Sequence, residues 1–250
     1  MSDLPGMAAQ LLTMHDDFVV LPTAWDAWSA RALVDAGFSA ITVGSHPVAA
    51  SRGQHDNEGM SLDEALESVA RITASVDVPV SADLESGYGA EPAELIERLL
   101  DAGAVGVNVE DTVHREGRMR EPRGTPTTSP ASARPPTRPA SMSSSMRTDA
   151  FGQPGLHGRD PLNEAILLCE LMEQAGARSL YPVKLPSREA LAAILERVSL
   201  PVNVTAHPVT GSIAGNLDQT LTAGARRVSF GPRLQVALTD SISELVRPCL

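Results

Sequence analysis

The sequence predicts one α/β domain spanning residues 1–250, a (β/α)8 TIM barrel, and three observations carry that expectation. A short phrase recurs at Ala36-Gly37-Phe38, Ala102-Gly103-Ala104, Ala175-Gly176-Ala177 and Ala223-Gly224-Ala225. Helical spacing of apolar residues lies upstream of it, as in Leu95, Ile96, Leu99 and Leu100 or Ile166, Leu167, Leu171 and Met172, and the glycine suits a left-handed helix C-cap. Downstream come continuous apolar runs of the kind that form strands buried on both faces.

In chain order the expected strands are Phe18–Leu21, Ala40–Val43, Val78–Ala82, Gly106–Val109, Ser179–Val183, Val202–Thr205 and Val228–Phe230. These seven alternate with helices, one unit short of eight, which favours a barrel over an open doubly wound sheet. No glycine-rich dinucleotide fingerprint follows any strand. Ser61 and Glu64 form a Ser-x-x-Glu capping box ahead of Leu62, Ala65, Leu66, Val69 and Ile72, which sets the start of that helix.

The missing unit falls at residues 122–146. This stretch holds six Pro, six Ser and four Thr, with no Val, Ile, Leu or aromatic residue. It stands where the fourth helix and fifth strand belong, and a barrel lacking a strand would have an open sheet. One reading is a natural Pro/Ser/Thr-rich insertion. The sharper one is a compensated frameshift: with G+C-rich codons, shifting the frame turns proline mostly into alanine and serine into Val, Leu or Ile. Over Pro126–Met146 that restores a helix, a glycine cap and a strand leading into Arg147-Thr148-Asp149-Ala150. The expected fold is thus a barrel whose fourth helix and fifth strand are replaced by this segment.

Composition narrows the function. The 31 acids against 20 bases give a net charge of -11 and a pI near 5.0, which repels nucleic acid and anionic membranes. No apolar run approaches the roughly 20 residues of a spanning helix, and the first ten residues lack a secretory pattern, so a cytoplasmic location is expected. Two cysteines, Cys169 and Cys249, build neither a disulfide framework nor a zinc site. Any metal is expected to be held by oxygen.

Barrel active sites lie at the carboxyl ends of strands, and those ends are acidic here. Asp83-Leu84-Glu85-Ser86-Gly87-Tyr88-Gly89 follows one strand, Asn108-Val109-Glu110-Asp111 ends the next, and an earlier loop contains His55-Asp56-Asn57-Glu58. With period two, Asp83 and Glu85 would share a side. Carboxylates converging without basic neighbours point to a hard divalent cation such as Mg2+, with Asp83 the leading ligand and Asp56, Glu85 and Glu110 around it. Acids at strand ends also cap helices, which is the plainer alternative. Lys184, the sole lysine, could invite an imine mechanism, but its flank Pro182-Val183-Lys184-Leu185-Pro186 reads as a strand-to-helix turn. His46 and His207 read as ordinary loop histidines, and Trp25 and Tyr88 as packing or lining residues.

Together these motifs resemble the isocitrate lyase and phosphoenolpyruvate mutase superfamily, including its 2-methylisocitrate lyase-like and phosphonomutase-like members. The resemblance rests on Pro22-Thr23-Ala24-Trp25-Asp26-Ala27 with Ser29-Ala30-Arg31, on Gly44-Ser45, Asp56, Asp83 through Gly89 and Asn108 through Asp111, and on Arg147-Thr148-Asp149-Ala150 and Pro201-Val202-Asn203-Val204. It implies Mg2+, with Mn2+ an alternative, near Asp83, contacted by Asp56, Glu85 and Glu110 directly or through water. It further implies a keto carboxylate held by Gly44 and Ser45, with Asn203 beside the substrate and Arg147 on its second anionic group. Bond cleavage beside a keto acid leaves an enolate, which a divalent cation stabilises.

The implied activity is a lyase making or breaking a carbon-carbon bond in a small anionic keto or hydroxy acid, in a homodimer or homotetramer. Phosphoenolpyruvate mutase or phosphonopyruvate hydrolase chemistry is the alternative, and a non-catalytic barrel the third reading. One departure matters. Lyases of this superfamily carry Cys in a Lys-Lys/Arg-Cys-Gly-His loop, whereas here the run is Val113-His114-Arg115-Glu116-Gly117-Arg118, with Arg118 where that Cys or the mutase Asn would fall. His114 is the candidate replacement acid or base.

Overall fold

The computed structural model describes residues 3–119, 143–152 and 159–250. Among these, the strands are β1 (Val19–Leu21), β2 (Thr23–Ala24), β3 (Ile41–Val43), β4 (Val80–Asp83), β5 (Gly106–Glu110), β6 (Thr112–Val113), β7 (Arg118–Met119), β8 (Ser143–Thr148), β9 (Ser179–Pro182), β10 (Asn203–His207), β11 (Gly211–Ser212) and β12 (Arg227–Ser229). The helices are α1 (Leu4–Thr13), α2 (Ala27–Asp35), α3 (Ser45–Ser51), α4 (Leu62–Thr73), α5 (Pro92–Asp101), α6 (Pro161–Gln174), α7 (Arg188–Leu195), α8 (Leu217–Thr222) and α9 (Arg233–Val246). No helix among the described residues is long and apolar enough to cross a membrane.

Parallel pairing runs β2-β3-β4-β5-β8-β9 in one sheet and joins β1, β12 and β10 in another. Pro22 separates β1 from β2 on one continuous stretch, because proline offers no N–H to the ladder, while its carbonyl still accepts from Thr42 at 2.9 Å. Leu180 of β9 bridges Val202 in parallel, its N–H donating to Pro201 at 2.9 Å.

The anticipated helix signals are present. Ser61 caps α4 with both halves of the box formed, and the bonds from Ser61 hold the Glu64 carboxyl down at about 2. Leu66, Val69 and Ile72 on the inner face of α4 join the main core with Ile41, Val80 and Val107, each such side chain contributing roughly 1.5–3 kcal/mol before entropy is subtracted. The glycines that end α2, α5, α6 and α8 lie at φ of 100° (Gly37), 84° (Gly103), 92° (Gly176) and 101° (Gly224), the left-handed region that other residues enter only at a cost.

The expectation of a lost fifth strand is corrected. Ser143–Thr148 is a strand, β8, with Gly106 through Glu110 facing Ser143 through Arg147 on one side and Ser145 through Thr148 facing Ser179 through Pro182 on the other. Serine has no strand preference of its own, but an inserted strand gains backbone hydrogen bonds on both edges, and that context overrides propensity. All three serines are buried, and the Ser145 hydroxyl has no hydrogen-bond partner. The place of the fourth helix, and most of the shifted reading with it, lies outside the described residues. Strand limits elsewhere moved by a residue or two.

Candidate active site

Asp83 ends β4 and Glu110 ends β5, so both carboxylates emerge at the carboxyl edge of adjacent strands. Arg147, opposite Glu110 in the β5–β8 register, places Nη1 2.8 Å from Glu110 and 3.5 Å from Asp83. One guanidinium therefore bridges two acids.

Glu85 lies beyond the strand, so its direction is set by a turn and not by strand alternation. Its φ is 48°, and Asn57, Glu58 and Tyr88 also have positive φ. A non-glycine residue in such a conformation costs of order 1–3 kcal/mol and persists only where its surroundings hold it. Here Glu110 N donates to the Glu85 carbonyl at 2.8 Å, the Glu58 amide donates to the Glu85 carboxylate, and the Tyr88 hydroxyl does so at 3.0 Å. The Glu85 amide in turn donates to Asp83 at 3.1 Å.

Crowding shifts these acids. Burial pushes the Asp83 carboxyl up to about 6, with the Glu110 and Asp56 charges adding to it and Arg147 opposing. Burial raises Glu85 to about 7, reinforced by Asp56 and Asp83. His114 moves upward because its ring bonds the Glu110 carboxylate. Burial leads both carboxyl shifts, and the neighbouring acids, which outnumber the one guanidinium among them, add to it.

A divalent cation fits that excess. Glu85, Glu110 and His114 each offer a ligand atom, all within 4.8 Å of one another, and Asp56 keeps one buried oxygen without a hydrogen-bond partner. A histidine nitrogen joins the carboxylate oxygens in this candidate group, and Asp83 and Asp56 stand beside it.

A cavity of about 510 Å3 opens at this end, and Gly44, Ser45, Asp56, Asp83 and Arg147 line it. Gly44 sits so close to Thr23 that a Cβ would lie 2.7 Å from its Cγ2, which leaves bare backbone facing the cavity. Asn203 is elsewhere: it is buried, donates to Ser229 Oγ at 3.0 Å and is not among the lining residues. His46 bonds Asp56 at 3.2 Å, while His207 accepts from Val209 and Thr210.

Sequence reasoning passed over Glu58, which is buried, accepts from Ser86 and lies 3.5 Å from Arg115. Its position two residues past Asp56 was the available signal. It also passed over Arg227, fully buried inside the strands, for which a lone Arg in an apolar run gives no cue.

The chain belongs to the phosphoenolpyruvate phosphomutase family, whose model matches residues 9–250, within the wider phosphoenolpyruvate mutase and isocitrate lyase superfamily of lyases and mutases. It is 26% identical to the 2-methylisocitrate lyase of Bacillus subtilis over 206 residues, 80% of this chain and 66% of that protein; the match thus spans just under two thirds of that relative's length. A solved Burkholderia cenocepacia protein described as a candidate phosphonomutase is 30% identical with a TM-score of 0.85, covering 97% of this chain and 98% of that one. The phosphoenolpyruvate phosphomutase of Streptomyces platensis is 25% identical with a TM-score of 0.79, covering 95% and 85%.

Proposed function

We propose that the chain is a divalent-cation-dependent lyase that cleaves or forms a carbon-carbon bond next to a keto acid. The observation that carries this reading is the meeting of Asp83, Glu110 and Arg147 at the carboxyl ends of neighbouring strands, with Asp83 and Arg147 lining one cavity together with Gly44 and Ser45. The pairing order, with the Leu180–Val202 bridge, supports a closed eight-stranded barrel that keeps these groups in fixed register.

Glu85, Glu110 and His114, with Asp83 and Asp56 adjoining, would hold the cation, Mg2+ or Mn2+. The imidazole nitrogen favours the latter. When bound, the cation supplies Lewis-acid stabilisation to the oxyanion that develops on the keto acid. The protein's own groups do the rest. The Gly44 and Ser45 backbone positions the carboxylate, and Arg147, half-buried and tied to two acids, is preorganised rather than free to reorient. His114, its basicity raised by its bond to Glu110, helps fix that carboxylate beside Arg147. Apolar side chains exposed on α9, Val236, Ile242, Leu245 and Val246, support a homo-oligomer.

The family's name favours a second reading, carbon-phosphorus bond chemistry on a phosphonopyruvate-like substrate. The test is a product assay with Mg2+ or Mn2+ on 2-hydroxy dicarboxylates and on phosphonopyruvate. Keto-acid release from a dicarboxylate is the expected result. Turnover of phosphonopyruvate alone would select the second reading, and none with either class would leave a non-catalytic barrel.

A further inference from the structure

Lys184 combines three features that a turn residue does not need. Its φ is 59°, a conformation that favours glycine, and it is the sole lysine of the chain. It also lines the same cavity as Asp83 and Arg147. Its ammonium is 3.2 Å from Asp149, a residue just past β8 that does not itself line the cavity. The Val183 amide donates to Thr148 at 2.9 Å, locking the β9 end to the β8 end and so fixing how Lys184 and Asp149 meet. Gly152 completes the arrangement: a Cβ there would stand 2.2 Å from Asp149 and 2.5 Å from Lys184 Nζ.

The cations that line this cavity, Arg147, Lys184 and Arg233, differ in availability. Arg147 is committed to Glu110 and Asp83 at 2.8 and 3.5 Å, with its side chain 20% exposed. Lys184 has one acidic partner and a side chain 60% exposed. A substrate whose keto-acid end sits at Gly44-Ser45 and Asp83 needs a cation for any further charge; Lys184 and the exposed Arg233 both line the cavity, and Lys184 is the one that an acid holds in place. Backbone strain retained in a lysine at a functional cavity is the kind of outlier from which a role is inferred.

We propose that Lys184 is a specificity-determining residue: it holds the second anionic group of the substrate, with Asp149 orienting its ammonium, and so selects keto acids that carry a carboxylate or phosphonate at the far end. This rests on the keto-acid reading of the cavity.

The test is calorimetric titration, in the presence of Mg2+, of wild type, Lys184→Gly and Lys184→Arg with two probes. Oxalate presents only the keto-acid-like end; 3,3-difluorooxaloacetate adds a second carboxylate. Lys184→Gly relieves the strained backbone, so its melting temperature is expected to hold or rise. It is expected to weaken 3,3-difluorooxaloacetate at least tenfold while changing oxalate less than twofold, and Lys184→Arg is expected to restore most of the loss. Equal weakening of both probes, or no change in either, would overturn the proposal while leaving the keto-acid reading standing. Failure of wild type to bind either probe would overturn that reading and the proposal with it.

Discussion

At the carboxyl ends of the strands Asp83 and Glu110 flank one guanidinium, Arg147, with Glu85 beside Asp83; nearer the amino ends Arg227 is buried among neutral acceptors, donating to Asn108 at 3.2 Å and Ser179 at 3.4 Å with its Nε unpartnered. Burial lifts Asp83 and Glu85 at one end and lowers Arg227 to about 10 at the other. Both ends hold charge that local partners do not balance. The difference lies in what can approach. Asp83 and Arg147 line an open cavity, whereas Arg227 is sealed inside, with Tyr181 and Asp83 acting on it at longer range. On the proposed reading, unbalanced charge at the open end would serve binding, while at the closed end it is held within the packing of the interior.

The strongest way to break this contrast is at the closed end. Arg227→Ala empties a fully buried site and strips Asn108 and Ser179 of a donor, so urea unfolding is expected to show a loss of about 3–5 kcal/mol. Because no carboxylate is left unpaired, Arg227→Met should recover most of it. If Met is as damaging as Ala, the guanidinium's hydrogen bonds matter more than its volume.

His15 sharpens the comparison. It is buried beneath α1, its Nδ1–H donates to the Leu11 carbonyl at 2.7 Å, and its Nε2 has no partner. Burial first, then the Arg227 charge, lowers it from 6.5 to about 4. The folded state therefore binds fewer protons than the unfolded chain below pH 6.5. The contribution is fully present above that pH and is lost as pH falls toward 4, at most about 3 kcal/mol. Unfolding measured between pH 7 and 4 should show a shallower pH dependence in His15→Gln than in wild type; parallel curves would mean that His15 accepts its proton without penalty.

The smallest effect is expected in β8. Removing the unpartnered hydroxyl by Ser145→Ala should stabilise the protein by up to about 1 kcal/mol, because a buried polar group without a partner disappears. A clear loss of stability would show that the hydroxyl is satisfied in solution. The same strand keeps the frameshift proposal open to test: nucleotide sequence across codons 118–150 decides whether serine or an aliphatic residue belongs there.

What could be read from the sequence was what depends on local chemistry. The Ala-Gly helix ends follow from glycine's backbone freedom, the Ser61–Glu64 box from reciprocal capping, and the acids of β4 and β5 from their place after apolar runs. The rest depended on contacts distant in sequence. β8 exists because β5 and β9 flank it, which no property of Ser143-Ser144-Ser145 announces. Glu85 leaves the strand's alternation because its backbone turns left-handed. Asn203 was expected beside the substrate from the resemblance, and its side chain instead donates to Ser229 across the β10–β12 pair.

Calorimetric titration of Mn2+ and Mg2+ into wild type, Asp83→Ala and Glu110→Gln bears most directly on the carboxyl-end cluster as a cation site. Wild type is expected to bind one ion per chain, and each substitution to weaken it by at least about a hundredfold, since loss of a carboxylate leaves the ion too few oxygen partners. Equal affinity in all three proteins, or no binding by wild type, would contradict the account.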